Sequence, residues 1–271
     1  MGYQNIYKGG RYESFSKNKE PQPRRMAEDR TQGIGGSDVS IIAGINPFKS
    51  VYQLWLEKTG QIEPEQADSE AAHFGTLLEP IVRREFMQRT GLKVRQKNML
   101  LQSEDYPFMI ADVDGVINEN GEKIIFEVKT ASSYKQEICE DGVPAEYVLQ
   151  VQHYMFVTGA RKTYVAALVG GNHFYCHKVE RDDDMIKKII AMEKYFWEEN
   201  VIGGVEPIPD GSEATTNSIC ENAVKLTDEE LHKQSWNDFV MSLDPDYEEL
   251  VQYLKERRLY VNEPIIIEEE V

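Results

Sequence analysis

The chain has 271 residues, 41% of them hydrophobic, and its 47 acidic side chains outnumber 30 basic ones to leave a net charge of −17. That length suits one large domain, or one domain with extensions, and the apolar share is enough to build a core. The charge argues against a uniformly basic surface for nucleic acid. Three widely spaced cysteines, Cys139, Cys176 and Cys220, indicate neither a disulfide framework nor a zinc or iron–sulfur site. No apolar run reaches the length of a membrane span, and the MGYQNIYKGG start lacks a signal peptide's apolar core. The expectation is a cytoplasmic protein with reduced thiols and no membrane partner.

The acid is unevenly spread. Residues 212–271 hold 15 acidic and 5 basic residues, a net of −10, whereas residues 1–30 hold 7 basic and 4 acidic, a net of +3. Part of the negative charge therefore belongs to a C-terminal extension. Carboxylates that bind divalent cations also count as charge here but not once loaded.

In chain order, residues 1–29 read as a polar arm punctuated by Pro21 and Pro23. In RTQGIGGSDVSIIAGINPFKS, Ser37-Asp38 is an N-cap for a short helix through Ile42, ended by Gly44 and Pro47. Gly33, Gly35 and Gly36 lead into it, either as a phosphate seat at a helix N-terminus or as a plain glycine loop. It is not a P-loop, because no Gly-Lys-Ser/Thr follows. Residues 51–60 predict a second helix with Tyr52, Leu54 and Trp55 on its buried side. Residues 71–91 predict a stronger one, with Leu78, Ile81, Val82 and Phe86 at helical spacing and Gly91 at its end. Glu79 borders that stripe, as a boundary residue or as the neighbour of a site. Residues 93–102 predict a strand entering the next segment.

That segment, Phe108 to Ala131, organises the rest. Asn120-Gly121 between two runs rich in Ile, Val and Phe predicts a type I′ hairpin. The turn sets the register: Glu119 faces Glu122, Ile117 faces Ile124, and Asp114 lands opposite Glu127. Side chains alternate faces, so Asp112 and Lys129 fall on the same side. Facing carboxylates repel unless a cation lies between them, which points to a metal site beside a lysine suited to phosphate. Turn chemistry at Asp114-Gly115, a solvated strand face, or a bulge at Gly115 are the plainer alternatives.

Residues 144–159 predict a helix with Pro144 near its first position, Gln150 and Tyr154 on one face and Gln152 elsewhere. Residues 163–171 and 173–180 predict a strand pair, in which His173 and His177 are ordinary histidines. Residues 182–204 predict a long helix with acids at its start. Beyond Glu206 the pattern weakens into linker and helical segments. The whole is an α/β chain: a central mixed sheet with carboxylates on its hairpin, flanking helices, and a mostly helical C-terminal appendage. It divides into an arm (1–29), a core (30–205) and an acidic extension (206–271).

Asp114, followed thirteen positions later by Glu127-Val128-Lys129, resembles the PD-(D/E)XK nuclease motif, with Val113 in its proline position. With Glu79 before it, Gln150-Val-Gln152-His-Tyr154 after it, and Arg30…Ile34-Gly-Gly-Ser37-Asp38 upstream, the set resembles the YqaJ-type viral recombinase family, which includes phage lambda exonuclease. The resemblance implies a restriction-endonuclease-like core with Asp114, Glu127 and the Val128 carbonyl as Mg²⁺ ligands, Mn²⁺ substituting. It implies Lys129 beside the attacking water and phosphate, Glu79 on a metal-bound water or second ion, and Gln150 in support, with Gln152 and Tyr154 as further supporting residues. Arg30 and Ser37 would hold a 5′-phosphate. The implied activity is 5′→3′ exonucleolysis of double-stranded DNA ends for phage-type recombination in a bacterial host, with a single-strand annealing protein as partner and a trimeric ring as assembly. An endonuclease of the same superfamily, or a catalytically silent DNA-binding adaptor, are the alternatives.

Overall fold

A computed structural model describes residues 31–62, 70–96 and 100–208, with the backbone of Tyr12–Ser14. Arg30, the arm apart from that short strand, and the extension beyond residue 208 lie outside the described residues, and so do the expectations attached to them. The strands are β1 (Tyr12–Ser14), β2 (Val94–Gln96), β3 (Leu100–Ser103), β4 (Ile110–Asp112), β5 (Gly115–Glu119), β6 (Glu122–Ala131), β7 (Lys162–Val169) and β8 (His173–Glu180). The helices are α1 (Gly36–Ile42), α2 (Val51–Lys58), α3 (Glu70–Thr90), α4 (Gln136–Asp141), α5 (Ala145–Thr158) and α6 (Asp183–Tyr195).

Five strands form a mixed sheet in the order β2-β5-β6-β7-β8, with β6 and β7 parallel and the other pairs antiparallel. The parallel pair is joined by α5, the crossover such a pair requires. On one face, Val82 and Phe86 of α3 pack on Ile117, Ile124, Phe126, Val128 and Tyr164. The other face carries the larger core, where Ile125 and Val165 meet buried residues of α1, α2, α5 and α6. Glu127 and Lys129 share parity with Ile125 and so rise from this second face, toward α5.

The hairpin forms as its turn residues dictate. Asn120 and Gly121 both have positive φ (51° and 84°), and Glu119 pairs with Glu122 and Ile117 with Ile124. Gly115 pairs regularly with Phe126, so no bulge forms there. A side chain on Gly115 would run into Val94 at 2.5 Å, which is why glycine stands at this crossing of β2.

Several expectations are corrected. The apolar run from Phe108 is not one strand: β4 pairs with β3 in a separate three-stranded sheet with β1, and the chain changes sheets at Val113-Asp114. Residues 93–102 are likewise split, β2 to the main sheet and β3 to the small one. Ile34 lies along the other edge of β4 beside Met109, with Ile34 N donating to Phe108 O at 2.6 Å and Ile110 N to Ile34 O at 2.9 Å. The N-cap of α1 is Gly35 rather than Ser37; Asp38 reaches back from the first turn to accept the Gly35 N–H at 2.9 Å. Pro144, expected near the first position of α5, is its N-cap, directly before Ala145. Ile81 is 48% exposed, because α3 meets the sheet only through the side that carries Val82 and Phe86. The long helix predicted for 182–204 ends as α6 at Tyr195 and continues as a π-helical turn, Phe196–Ile202. There the Asn200 carbonyl accepts the indole N–H of Trp55 at 2.9 Å, and its side chain donates to Val205 O.

Candidate active site

Asp114 sits where the chain steps from the small sheet into β5. Its Oδ2 accepts the Val128 N–H at 2.7 Å, which places its carboxylate over β6 beside Glu127, as the hairpin register requires. Glu127 is buried. Its Oε1 accepts from Lys129 Nζ at 2.7 Å and from Gln150 Nε2 at 2.9 Å. Gln150 Oε1 accepts a second hydrogen from Lys129 at 2.8 Å, and Gln150 Nε2 lies 3.0 Å from the Tyr154 hydroxyl. Glu127, Lys129 and Gln150 thus form a closed triangle of hydrogen bonds between β6 and α5.

Burial is the main reason the Asp114 carboxyl is pushed up to about 8, and the neighbouring Glu127 charge adds to it. Burial raises the Glu127 carboxyl as well, with Asp112 and Glu79 contributing and Lys129 opposing. For Lys129, burial works against the ammonium, yet Glu127 outweighs it and the pKa is raised. Two carboxyl groups thus share one partly buried lysine. Glu127 Oε2 is buried and has no hydrogen-bond partner among the described residues. A buried carboxylate oxygen without a hydrogen-bond donor, beside a second carboxyl, is what a divalent cation would satisfy. Among the described residues, no three Asp, Glu, His or Cys side chains converge into a ready-made cage.

The other sequence-predicted residues divide. Glu79 is held by Arg83 at 2.8 Å, one helical turn on, and contributes its charge to Asp114 and Glu127 rather than a hydrogen bond. Ser37 is exposed in the first turn of α1. Its neighbour Gly36 presses so closely on α5 that a Cβ would lie 2.5 Å from the Tyr154 ring and 2.9 Å from Gln150. The glycine loop is thus seated directly against the Gln150–Tyr154 face. Lys58 braces it, donating to Gly33 O at 2.7 Å and pairing with Asp38 at 2.7 Å. Burial alone would raise the Asp38 carboxyl, but Lys58 prevails and lowers it. Gln152 faces away: it donates to Glu180 O and accepts from Asp182 N, tying α5 to the start of α6. It is a structural residue in this fold, not a partner of the triangle.

Sequence reasoning missed three participants. Tyr147 lies one turn before Gln150, and its ring centroid is 5.0 Å from both Lys129 Nζ and Lys135 Nζ. Its helical spacing from Gln150 was the available signal. His153 and Glu193 form a fully buried pair at 2.7 Å, and the other His153 nitrogen faces Ile110 O at 2.9 Å. No local pattern marks a contact spanning forty residues. His173 is exposed on β8, and His177 is buried with its Nε2 2.6 Å from the Cys139 carbonyl.

The profile of the YqaJ-like viral recombinase domain matches residues 26–161. The chain belongs to this family. YqaJ of Bacillus subtilis (strain 168), carried as an uncharacterized protein, is 47% identical over 207 residues, covering 75% of this chain and 64% of YqaJ. The chain thus spans less than two thirds of that relative's length. Among solved structures, the alkaline exonuclease LHK-Exo of Laribacter hongkongensis aligns with a TM-score of 0.55 and 21% identity, covering 75% of this chain and all of LHK-Exo. LHK-Exo in complex with dAMP aligns at 0.56 and 20%, covering 74% and 98%. At such identities the likeness establishes a shared fold, which agrees with the mixed sheet flanked by helices. Among the described residues, no helix is long and apolar enough to cross a membrane.

Proposed function

We propose that this YqaJ-family protein is a Mg²⁺-dependent exonuclease that degrades double-stranded DNA ends in the 5′→3′ direction, exposing a strand for recombination. The observation that carries the proposal is the Asp114–Glu127–Lys129–Gln150 constellation, with its unspent Glu127 oxygen. Family membership and the exonuclease fold of LHK-Exo support it, and the dAMP held by that neighbour fits release of 5′-mononucleotides.

Asp114, Glu127 and the Val128 carbonyl would hold Mg²⁺, or Mn²⁺ in its place, with Glu79 reaching it through water. When bound, the ion supplies Lewis acidity that activates water and neutralises charge on the phosphate. Lys129 places a compact positive charge where negative charge builds on the phosphate oxygens. Gln150 holds Lys129 and Glu127 in register, so neither side chain must reorganise during reaction. Ser37, with Arg30, would receive the terminal 5′-phosphate; an arginine fork suits a terminal phosphate dianion. A single-strand annealing protein and a homo-oligomeric, trimeric ring complete the proposed assembly.

The test is degradation of a linear duplex labelled on one strand, with and without a 5′-phosphate, in Mg²⁺ and in EDTA. Stepwise loss from the 5′-phosphorylated end, absent in EDTA, supports the proposal. Internal cuts would replace it with an endonuclease, and intact binding without cleavage would replace it with the adaptor.

A further inference from the structure

Tyr134 is 95% exposed, the highest exposure among the large apolar and aromatic residues described. Its ring makes no hydrogen bond or ring contact with any described residue. The backbone beneath it is nonetheless held firmly. Tyr134 is the middle residue of a 3₁₀ turn, Ser133–Lys135, that directly follows the strand carrying Glu127 and Lys129. Lys135 N donates to Ser132 O at 3.0 Å, Gly170 N donates to Ala131 O at 2.8 Å, and Ser133 packs against Gly170 so closely that a Cβ there would meet it at 3.3 Å. Lys135 Nζ pairs with Glu146 at 2.5 Å.

The turn is also connected to the candidate active site. The Tyr147 ring lies between Lys129 and Lys135, 5.0 Å from each ammonium. The lysine of the site and the lysine next to Tyr134 thus share one aromatic ring. An unpartnered aromatic ring on a braced turn, next to a half-buried ammonium and one ring away from Lys129, has the elements of a nucleotide seat. The ring offers a face to a base of any sequence, and Lys135 offers charge to the adjoining phosphate.

We infer that Tyr134 is a stacking platform for an unpaired nucleobase flanking the scissile phosphate, with Lys135 on the neighbouring backbone phosphate. The inference rests on the nuclease reading for the word scissile, but not for the seat itself. Tyr134 is a positioning residue: it holds the strand in line with Lys129 and Gln150 and does not touch the reacting atoms.

The test uses the full chain and a 5′-phosphorylated duplex with frayed, 2-aminopurine-containing ends, bound in Ca²⁺ so that binding is read apart from turnover. Stacking on the wild-type protein, Tyr134→Phe and Tyr134→Trp should quench the 2-aminopurine. Tyr134→Ala should lose the quench and bind about 5- to 100-fold more weakly. Replacing the base at the stacked position by an abasic site should weaken the wild type by the same factor and leave Tyr134→Ala indifferent. Quenching and affinity unchanged in Tyr134→Ala overturns the inference. So does a loss that persists on the abasic duplex, which marks a structural role, or a change of oligomeric state in sedimentation, which marks a contact between copies. The two proposals fail separately. If the wild type quenches but never cleaves in Mg²⁺ or Mn²⁺, the nuclease reading falls and the seat stands. If it cleaves and Tyr134→Ala behaves like the wild type, the seat falls alone.

Discussion

Lys129 and Gln150 are bonded to each other at 2.8 Å and converge on one oxygen of Glu127, leaving its second oxygen buried and without a partner among the described residues. The triangle is complete without any ligand, so the side chains are already placed for chemistry. Removing a corner should therefore cost rate more than fold. Lys129→Ala is expected to lower phosphodiester cleavage about 10²- to 10³-fold, the scale for losing one preorganised stabilising group. Gln150→Ala should lower it less, because Lys129 keeps its bond to Glu127. Single-turnover rates on a 5′-phosphorylated duplex check both; equal loss in the two variants would put Gln150 in direct contact with substrate.

The Asp114 carboxyl is pushed up to about 8 in the folded chain, chiefly by burial and then by Glu127. In the unfolded chain it has an ordinary carboxylate pKa of about 4. The folded state therefore binds its proton more tightly. The stability this contributes is full below about pH 4 and is lost as pH rises through about 8. In EDTA, melting temperature should fall from pH 5 to pH 8 more steeply in the wild type than in Asp114→Asn. The variant should melt a few degrees higher at pH 8. Mg²⁺ should raise the wild-type melting temperature at pH 8 and leave the variant nearly unmoved. A variant that melts lower in EDTA at pH 8 would contradict the burial penalty on the Asp114 carboxylate.

Gly36 leaves no room for a side chain between α1 and the Gln150–Tyr154 face. Gly36→Ala should cost about 1–3 kcal/mol of stability through overpacking. It should also displace Ser37, so that the preference for a 5′-phosphorylated over a 5′-hydroxyl end shrinks. Ser37→Ala should shrink the same preference without the loss of stability. Comparing the two ends in one cleavage assay, alongside denaturant unfolding, separates the packing effect from the phosphate effect.

Both ring nitrogens of His153 face acceptors, Glu193 and the Ile110 carbonyl, an arrangement that favours a proton on each nitrogen, while burial raises the Glu193 carboxyl as well. Burial opposes the charge on His153, but Glu193 prevails and the His153 pKa is raised. The share of stability that comes from the raised His153 pKa is full below the ordinary histidine pKa and is lost as pH rises through the raised value. His153→Ala is expected to cost about 3–5 kcal/mol, because it strands Glu193 unpaired. His153→Met with Glu193→Leu should recover much of that loss in denaturant titrations. Failure of the double variant to recover would mean that the Ile110 contact carries the energy.

Where chemistry was written in local pattern, the sequence was legible. Asn120-Gly121 set the register, because a two-residue turn leaves no freedom in pairing, and the ladder runs to Gly115 opposite Phe126, with Asp114 just beyond it bonded to Val128 N. Helical spacing put Gln150 and Tyr154 on one face, and the structure turns that face to Glu127. What failed failed for a nameable reason. The run from Phe108 looks like one strand because periodicity does not record which sheet a residue joins, and its first part pairs with β3 and with the distant Ile34 rather than continuing into β5. Ser37 looks like a cap because its residue type favours the role, yet Asp38 wins the bond to Gly35 while Lys58 holds it there.

By itself, the sequence determined the α/β class, the hairpin register and the identity of the acids and lysine, since each follows from short-range geometry or residue chemistry. Only the tertiary structure decided the rest. It brought Gln150 to Lys129, pressed Gly36 onto Tyr154, turned Gln152 away, and placed Tyr147 between two lysines. These contacts join segments with no sequence periodicity in common, and their partners are chosen by how the helices pack against the sheet.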